Sequence, residues 1–460
     1  MLKNIKIYTL LLITLGFMAC STDNEVEPLF DQDVDSRVDA LLESYKKTLT
    51  DSEFGWKADY RPGNEITGVY NIYFKFNTDN SATIVSDHNN GENDTPTTYR
   101  VGKSQFPELV FENHSTLHSL FEAERFRLGA EFEFIIVSVS SDKIELKSKT
   151  DQGEDKSTLT LVKATADDKE NVEKLQGLDE RVKDGHNTTL LFRGITITNS
   201  AADLIFSGSF SYDELTRIAT VIYEDADNNE KIDELAIELT ENGITFVNPV
   251  TFAGIEFQVF TYDEVTNTFT STVDGNTAVI APSNLPLYIN NDILTIGQSA
   301  SGSRFLYRPA LGSNPLTSAG IDAIVAEINT NVAPFGISFN NFILTTDPSV
   351  SGNNTVLSVS LPNFTLFYDF EAKIVNKKLI LDYKGPSTTQ GNAGNNAFIE
   401  SRIQSLIDFL RSPNPADADP DGLIYTSRGP FRSTTNAFPN EAATFLSTSN
   451  PSLSVYGVWF

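Results

Sequence analysis

From Gly68 to the far end of the chain, short runs of alternating apolar and polar residues recur between clusters of Asn, Asp and Gly. "GVYNIYFKF", "SATIVSD", "EFEFIIVSVS", "KIELKSK", "IATVIYED" and "IEFQVFTYD" are representative. A period of two puts every second side chain on one face of a strand, so Tyr70, Ile72, Phe74 and Phe76 share a buried face and their neighbours meet solvent. Runs this short, joined by turn residues and rarely separated by helical stretches, predict antiparallel meanders. The fold class expected is mainly β, a β-rich α+β protein with a few flanking helices. Most of the aromatic residues, 11% of the chain, must then be core.

The helices expected are few. "DVDSRVDALLESYKKTL" repeats Val34, Val38, Leu41, Leu42, Tyr45 and Leu49 at helical spacing behind a capping Asp31 or Asp33. "DDKENVEKLQGLDERVKDG" has the composition of a surface helix or connector. "SAGIDAIVAEINT" and "AFIESRIQSLIDFLR" are two more helices near the C-terminus, and the tail beyond them reads as loop-rich.

Internal similarity suggests a duplicated module. "ELVFENHSTLHSLF" aligns with "GITFVNPVTFAGIEF" so that Leu109 meets Ile244, Phe111 meets Phe246, Asn113 meets Asn248 and Thr116 meets Thr251, all at a spacing of 135. "GVYNIYFKFNTDNSATIVSD" shares a strand-turn-strand layout with "FSGSFSYDELTRIATVIYED" at nearly the same offset. Short strand patterns also resemble one another without common origin. The organisation expected is a first β module with its helix over 31–165, a related module over 166–280, and a C-terminal α+β region over 281–460.

The N-terminus sets the compartment. Lys3 and Lys6 precede an apolar run from Ile7 to Leu15, and Ala19 stands directly before Cys20, the sole cysteine. This is the pattern of a lipoprotein export signal, residues 1–19, too short for a spanning helix. Acylation at Cys20 would anchor the chain, with the polar, acidic stretch 20–30 as tether. With that thiol occupied, no disulfide remains to stabilise the fold. A net charge of -28 repels phosphate backbones and excludes nucleic acid as a partner.

"RVDALLESYKKTLTDSEFGWKADYRP", with its Gly55-Trp56 pair, followed by "GVYNIYFKF" and "EFEFIIVSVSSDKIELKSK", resembles the domain of unknown function 4302 family of gram-negative surface lipoproteins. "GITFVNPVTFAGIEFQVFTYD" resembles a later strand of that family, which brings the similarity to about residues 30–270. The resemblance implies an accessory or substrate-capture role beside outer-membrane nutrient importers of the starch-utilisation type, and it brings no catalytic motif.

Candidate chemistry in the residues themselves is sparse. Asp417, Asp419 and Asp421 alternate before Gly422 like the first half of a calcium loop, but Arg428 stands where the closing Glu belongs, so a solvated acidic turn competes with a calcium site. The loop starting at Asp225 lacks both the Gly and the Glu. His114 and His118 have a spacing seen in metal sites but lack the zincin Glu, while His88 and His186 read as residues of polar loops. Ser299 in "GQSASG" lacks the second Gly of a nucleophile elbow. Trp56 and Trp459 are candidates for stacking on sugars. The terminal "SVYGVWF" also resembles the last strand of an outer-membrane barrel. No nucleophile, base or cofactor site emerges, and an enzyme is the less expected outcome. The role expected is capture of glycan or peptide at the cell surface. The alternatives are a structural or adhesive spacer and a glycosidase built on a hidden carboxylate pair.

Overall fold

In the computed structural model the alternating strands close on themselves three times. Each closure is an eight-stranded, up-and-down antiparallel barrel. The structure describes residues 33–63, 67–94, 96–123, 128–150, 157–183, 192–296, 304–309, 316–347, 354–432 and 437–460.

The first barrel runs from β1 (Trp56–Tyr60) through β2 (Tyr70–Phe76), β3 (Ser81–Ser86), β4 (Thr97–Lys103), β5 (Pro107–Phe111), β6 (Glu133–Val139) and β7 (Lys143–Ser148) to β8 (Thr158–Lys163). It closes where Trp56 pairs with Lys163. The second comprises β9 (Phe192–Thr198), β10 (Leu204–Asp213), β11 (Ile218–Glu224), β12 (Glu230–Thr240), β13 (Gly243–Phe252), β14 (Ile255–Asp263), β15 (Thr268–Val273) and β16 (Asn276–Ser283). Its seam is a long β16–β9 ladder from Thr277↔Thr198 to Ser283↔Phe192.

The third barrel is β17 (Arg304–Tyr307), β18 (Asn341–Thr346), β19 (Thr355–Leu361), β20 (Phe364–Val375), β21 (Lys378–Pro386), β22 (Leu423–Arg432), β23 (Ala437–Ser447) and β24 (Ser454–Trp459), closed by Phe305↔Trp459. The C-terminal region is therefore as regular as the other two, and its tail is strand rather than loop. Gly429-Pro430 interrupts the alternation of β22, and the β22–β23 register shifts on both sides of Pro430, which hides the strands from a period-two reading.

Strand order explains the internal match. Leu109 and Phe111 lie on the fifth strand of the first barrel, and Ile244 and Phe246 on the fifth strand of the second. The matching hairpins are strands two and three of each. Between fifth and sixth strands the second barrel has a plain hairpin. The first inserts α2 (Thr116–Glu122), and the third inserts α6 (Ala393–Ile399) and α7 (Gln404–Leu410), a pair split by a 3-10 turn at Glu400–Arg402 that the sequence reading joins into one helix.

Of the remaining helices, α1 (Val34–Thr50) begins where expected, with Asp33 Oδ1 accepting from Ser36 N at 2.9 Å. α3 (Asp168–Leu175) and α4 (Leu178–Lys183) link the first two barrels, and α5 (Ala319–Val332) lies between β17 and β18. No described helix is long and apolar enough to cross a membrane.

Candidate functional site

An eight-stranded barrel is either just filled by its own side chains or holds one small ligand. Here the interiors are filled. Trp56, Phe74, Phe76, Phe111 and Phe134 are buried inside the first barrel, and Phe305, Phe445 and Trp459 pack edge-to-face in the third. Trp56 and Trp459 are thus core residues, withdrawn from any sugar. Apolar side chains face inward, whereas a membrane barrel carries its apolar band outside, so the likeness of β24 to a membrane strand ends at the sequence. Binding surfaces must be sought between barrels.

The junction of the first two barrels is buried and charged. Arg217, fully buried, donates from Nη1 to Asp87 Oδ2 (2.9 Å) and Val69 O (2.6 Å), and from Nη2 to Asp179 Oδ2 (3.0 Å) and Asp87 O (2.8 Å). Its guanidinium lies 4.5 Å from the centre of the Tyr70 ring. Tyr212 donates to Asp179 Oδ1 at 2.6 Å, and main-chain bonds Val69 N to Ile237 O and Gly68 N to Thr216 O tie the barrels directly. Burial raises the Asp179 carboxyl pKa despite Arg217, and it likewise raises Asp59 and Glu238 nearby. His88 is buried against Tyr70, where burial and the Arg217 charge depress its pKa to about 3. It stands in the polar turn His88–Gly91, as expected, but its ring is buried. Outside this network lies a cleft of about 220 Å³ lined by Asn89, Asn90, Glu92, Asp179, Glu180 and Glu214. Its carboxylates are already engaged in part: Glu180 accepts from Asn90 and Glu214 pairs with Lys183.

Asp94 packs behind the same junction, accepting from Ser86 N and Oγ and from Gln176 Nε2. Burial raises its pKa to about 6, against those hydrogen bonds, from the ordinary 3.8 of an aspartate. Between those two values the native state holds more proton than the unfolded chain, so this contribution to stability is full below about pH 4 and declines as pH rises towards 6. The stability of the native chain relative to Asp94→Asn should therefore fall by about 1 kcal/mol between pH 4 and pH 7, a figure discounted for partial exposure. Urea denaturation at the two pH values checks it, and an unchanged difference would refute it.

Between the second and third barrels lies a groove of two connected pockets, about 200 and 210 Å³, that share Phe192, Ile424, Thr426 and Arg428. Inward residues of β22 and β23, such as Tyr425 and Phe445, belong to the barrel core. The alternation therefore turns Ile424, Thr426, Arg428, Thr444 and Leu446 outward, towards β9, β10 and the segment Pro286–Asn290. Ile424 and Leu446 are buried although they face away from the barrel interior. Lys377, at the β20–β21 turn, reaches across to Glu224 (3.2 Å) and Tyr288 OH (3.0 Å), with its ammonium 4.4 Å from the Tyr288 ring centre. Arg428 donates from Nε and Nη2 to Thr444 Oγ1 at 3.2 and 3.1 Å, and desolvation by the walls lowers its pKa although the side chain still reaches solvent.

The acidic triplet separates. Asp419 Oδ1 accepts from Lys378 Nζ (2.7 Å) and Asn376 Nδ2 (2.9 Å), and Asp421 Oδ1 accepts from Thr448 Oγ1 (2.8 Å). Asp417, Asp419 and Asp421 do not assemble an ion shell, and among the described residues no group of three or more His, Cys, Asp or Glu could hold a metal. The Asp225 loop is a hairpin turn in which Asp225 Oδ1 accepts from Asp227 N and Asn229 N. His114 precedes α2, so the two histidines do not share a helical face. They stack at 5.8 Å, and His118 packs on Phe132 at 4.1 Å. Cys20, His186 and Ser299 lie outside the described residues. The groove residues Phe192, Tyr288 and Arg428 were missed. The one signal in the sequence was Arg428 itself, a cation standing where a calcium loop closes with Glu.

The class defined is a tandem of three filled antiparallel barrels with its clefts at the junctions. The chain belongs to the family "Domain of unknown function (DUF4302)", whose family model matches residues 26–264. That span takes in α1, the first barrel, the connector helices and the second barrel as far as β14, and so contains the whole Arg217 junction. No curated protein matches the chain. Among solved structures, the β subunit of DNA polymerase from Streptococcus pyogenes aligns at 9% identity over 92% of this chain and 97% of that one, with a TM-score of 0.16, too low to bear on fold or role.

Proposed function

We propose that the chain is a lipoprotein acylated at Cys20, held at the outer membrane facing the cell exterior, and acting as a binding or accessory component of a nutrient importer that handles glycan or peptide. The observation that carries this reading is the groove between the second and third barrels, where Phe192, Ile424 and Tyr288 provide apolar surface and Ser209, Thr426 and Arg428 provide polar contacts. The N-terminal pattern ending at Cys20 and the acidic composition support the location.

The test is a screen of oligosaccharides and short peptides against the chain from Ser21 to Phe460, read by calorimetry and product analysis, beside membrane partitioning of Cys20→Ala in the full chain. Binding weakened at least tenfold by Ile424→Arg, together with loss of partitioning in Cys20→Ala, is expected. Absence of any ligand would leave a spacer role, which the filled barrels and the buried first junction favour. Turnover of a ligand would make the chain a hydrolase.

A further inference from the structure

Among the described residues, the linings of both pockets hold no Asp, Glu or Gln, although the chain has 62 Asp and Glu residues. Asn290 is the one carboxamide among the described lining residues, beside hydroxyls and apolar walls, so the lining offers no charged acceptor to a hydroxyl-rich ligand. The cation is placed differently. Arg193, the other arginine at the groove, directs its guanidinium to main-chain carbonyls, with Nη1 donating to Arg181 O and Val182 O and Nη2 to Asn267 O. Among the described residues Arg428 has no carboxylate within ion-pair distance, and its hydrogen bonds there go to a neutral hydroxyl, Thr444 Oγ1. Asp292 acts on it from further away, its Oδ2 occupied by Ser427 N and Asn290 Nδ2. Among the described residues nothing accepts from Nη1 or from the second Nη2 hydrogen, which suits them to the paired contact a guanidinium makes with a carboxylate.

Resting on the capture reading above, we propose that the ligand is a short peptide with an apolar C-terminal residue, its free carboxylate held by Arg428 and its side chain seated against Phe192, Ile424 and Leu446. The complementarity is one of charge and surface together: Arg428, the cation whose guanidinium is not spent on main-chain carbonyls, stands where two apolar pockets meet, in a chain of net charge -28 that otherwise repels anions. The joined space lies near the low end of the roughly 300–1,000 Å³ of small-ligand sites, which suits two or three residues rather than a long chain.

The probes are acetyl-Phe-Leu with a free carboxylate, the same dipeptide as its C-terminal amide, and maltoheptaose, each titrated calorimetrically into the chain from Ser21 to Phe460. The acid should bind at least tenfold tighter than the amide. Arg428→Gln should erase that preference, Arg428→Lys should keep part of it, and Leu446→Glu should abolish binding of the acid. Thr444→Val, which leaves the cation in place, should retain the preference, and unchanged circular dichroism and melting of each variant separate loss of binding from loss of fold. Equal binding of acid and amide overturns the proposal, as does a preference that survives in Arg428→Gln. Binding of maltoheptaose without the dipeptide acid overturns it while leaving capture intact. No binding of any probe overturns both.

Discussion

Arg217→Ala should lower the stability of the paired first and second barrels by roughly 3–5 kcal/mol, read as an earlier urea transition, because it leaves buried charge without its partner. Asp87 is 0% and Asp179 5% exposed, so Asp87 gains no water when the guanidinium is removed and Asp179 meets it only along the cleft it lines. The main-chain carbonyls of Val69 and Asp87 lose a charged donor in the same step. Removing the whole set, with Arg217→Met, Asp87→Ala and Asp179→Leu combined, should cost less than the sum of the single changes, since the dominant penalty is the unpaired charge rather than the lost attraction. The third barrel, which makes none of these contacts, should keep its own transition. A loss below about 1 kcal/mol in Arg217→Ala would show that the junction opens to solvent and that the barrels dock by other means.

Such a residue could not be found by local pattern. Arg217 stands in "DELTRIATV", a hairpin turn in any reading, and takes a left-handed backbone with φ of 55°. Only the second barrel's neighbour makes it a core residue, by placing Asp87 against it across 130 positions of sequence. The burial of His88, within its polar turn, was hidden for the same reason. Local physics served where the decisive interactions are local: Asp33 caps α1, β2 alternates as expected, and turns such as Asn376-Lys377 adopt the left-handed angles their position in a tight hairpin requires. Closure is a different matter, because the pairing of Trp56 with Lys163 or Phe305 with Trp459 joins strands more than a hundred residues apart and leaves no periodic trace.

The groove was hidden by the outward side of that alternation. The tail beyond the last helix reads as loop-rich, so Ile424, Thr426, Arg428 and Leu446 do not stand out in the sequence as one outward face of a strand pair. Packing of one barrel against another converts that face into a binding surface, and composition cannot tell the two apart. The acidic triplet shows the reverse case. Its spacing matched a loop motif, while the neighbouring Lys378 and Thr448 supplied partners that the motif does not anticipate.

Trp56→Ala should destabilise the first barrel by roughly 3–5 kcal/mol and release α1 from it, which gives the Gly55-Trp56 pair a physical meaning. The indole is wholly buried in the barrel interior, and its Nε1 donates to Leu49 O at 2.9 Å, from the sole buried residue of α1. One side chain thus both fills the core and fastens the helix. Gly55 lets it do so: φ is 81°, and a Cβ there would lie 2.4 Å from Phe74 O, so another residue would push β1 off β2. Trp56→Phe keeps most of the apolar body and forfeits the hydrogen bond, and should cost roughly 1–3 kcal/mol. Urea denaturation measures the stability and amide hydrogen exchange reads α1 separately. In Trp56→Phe the α1 amides should lose protection before the barrel strands do, whereas equal loss across both would mean that the helix is held by its half-buried Val38, Leu42 and Tyr45 rather than by the indole.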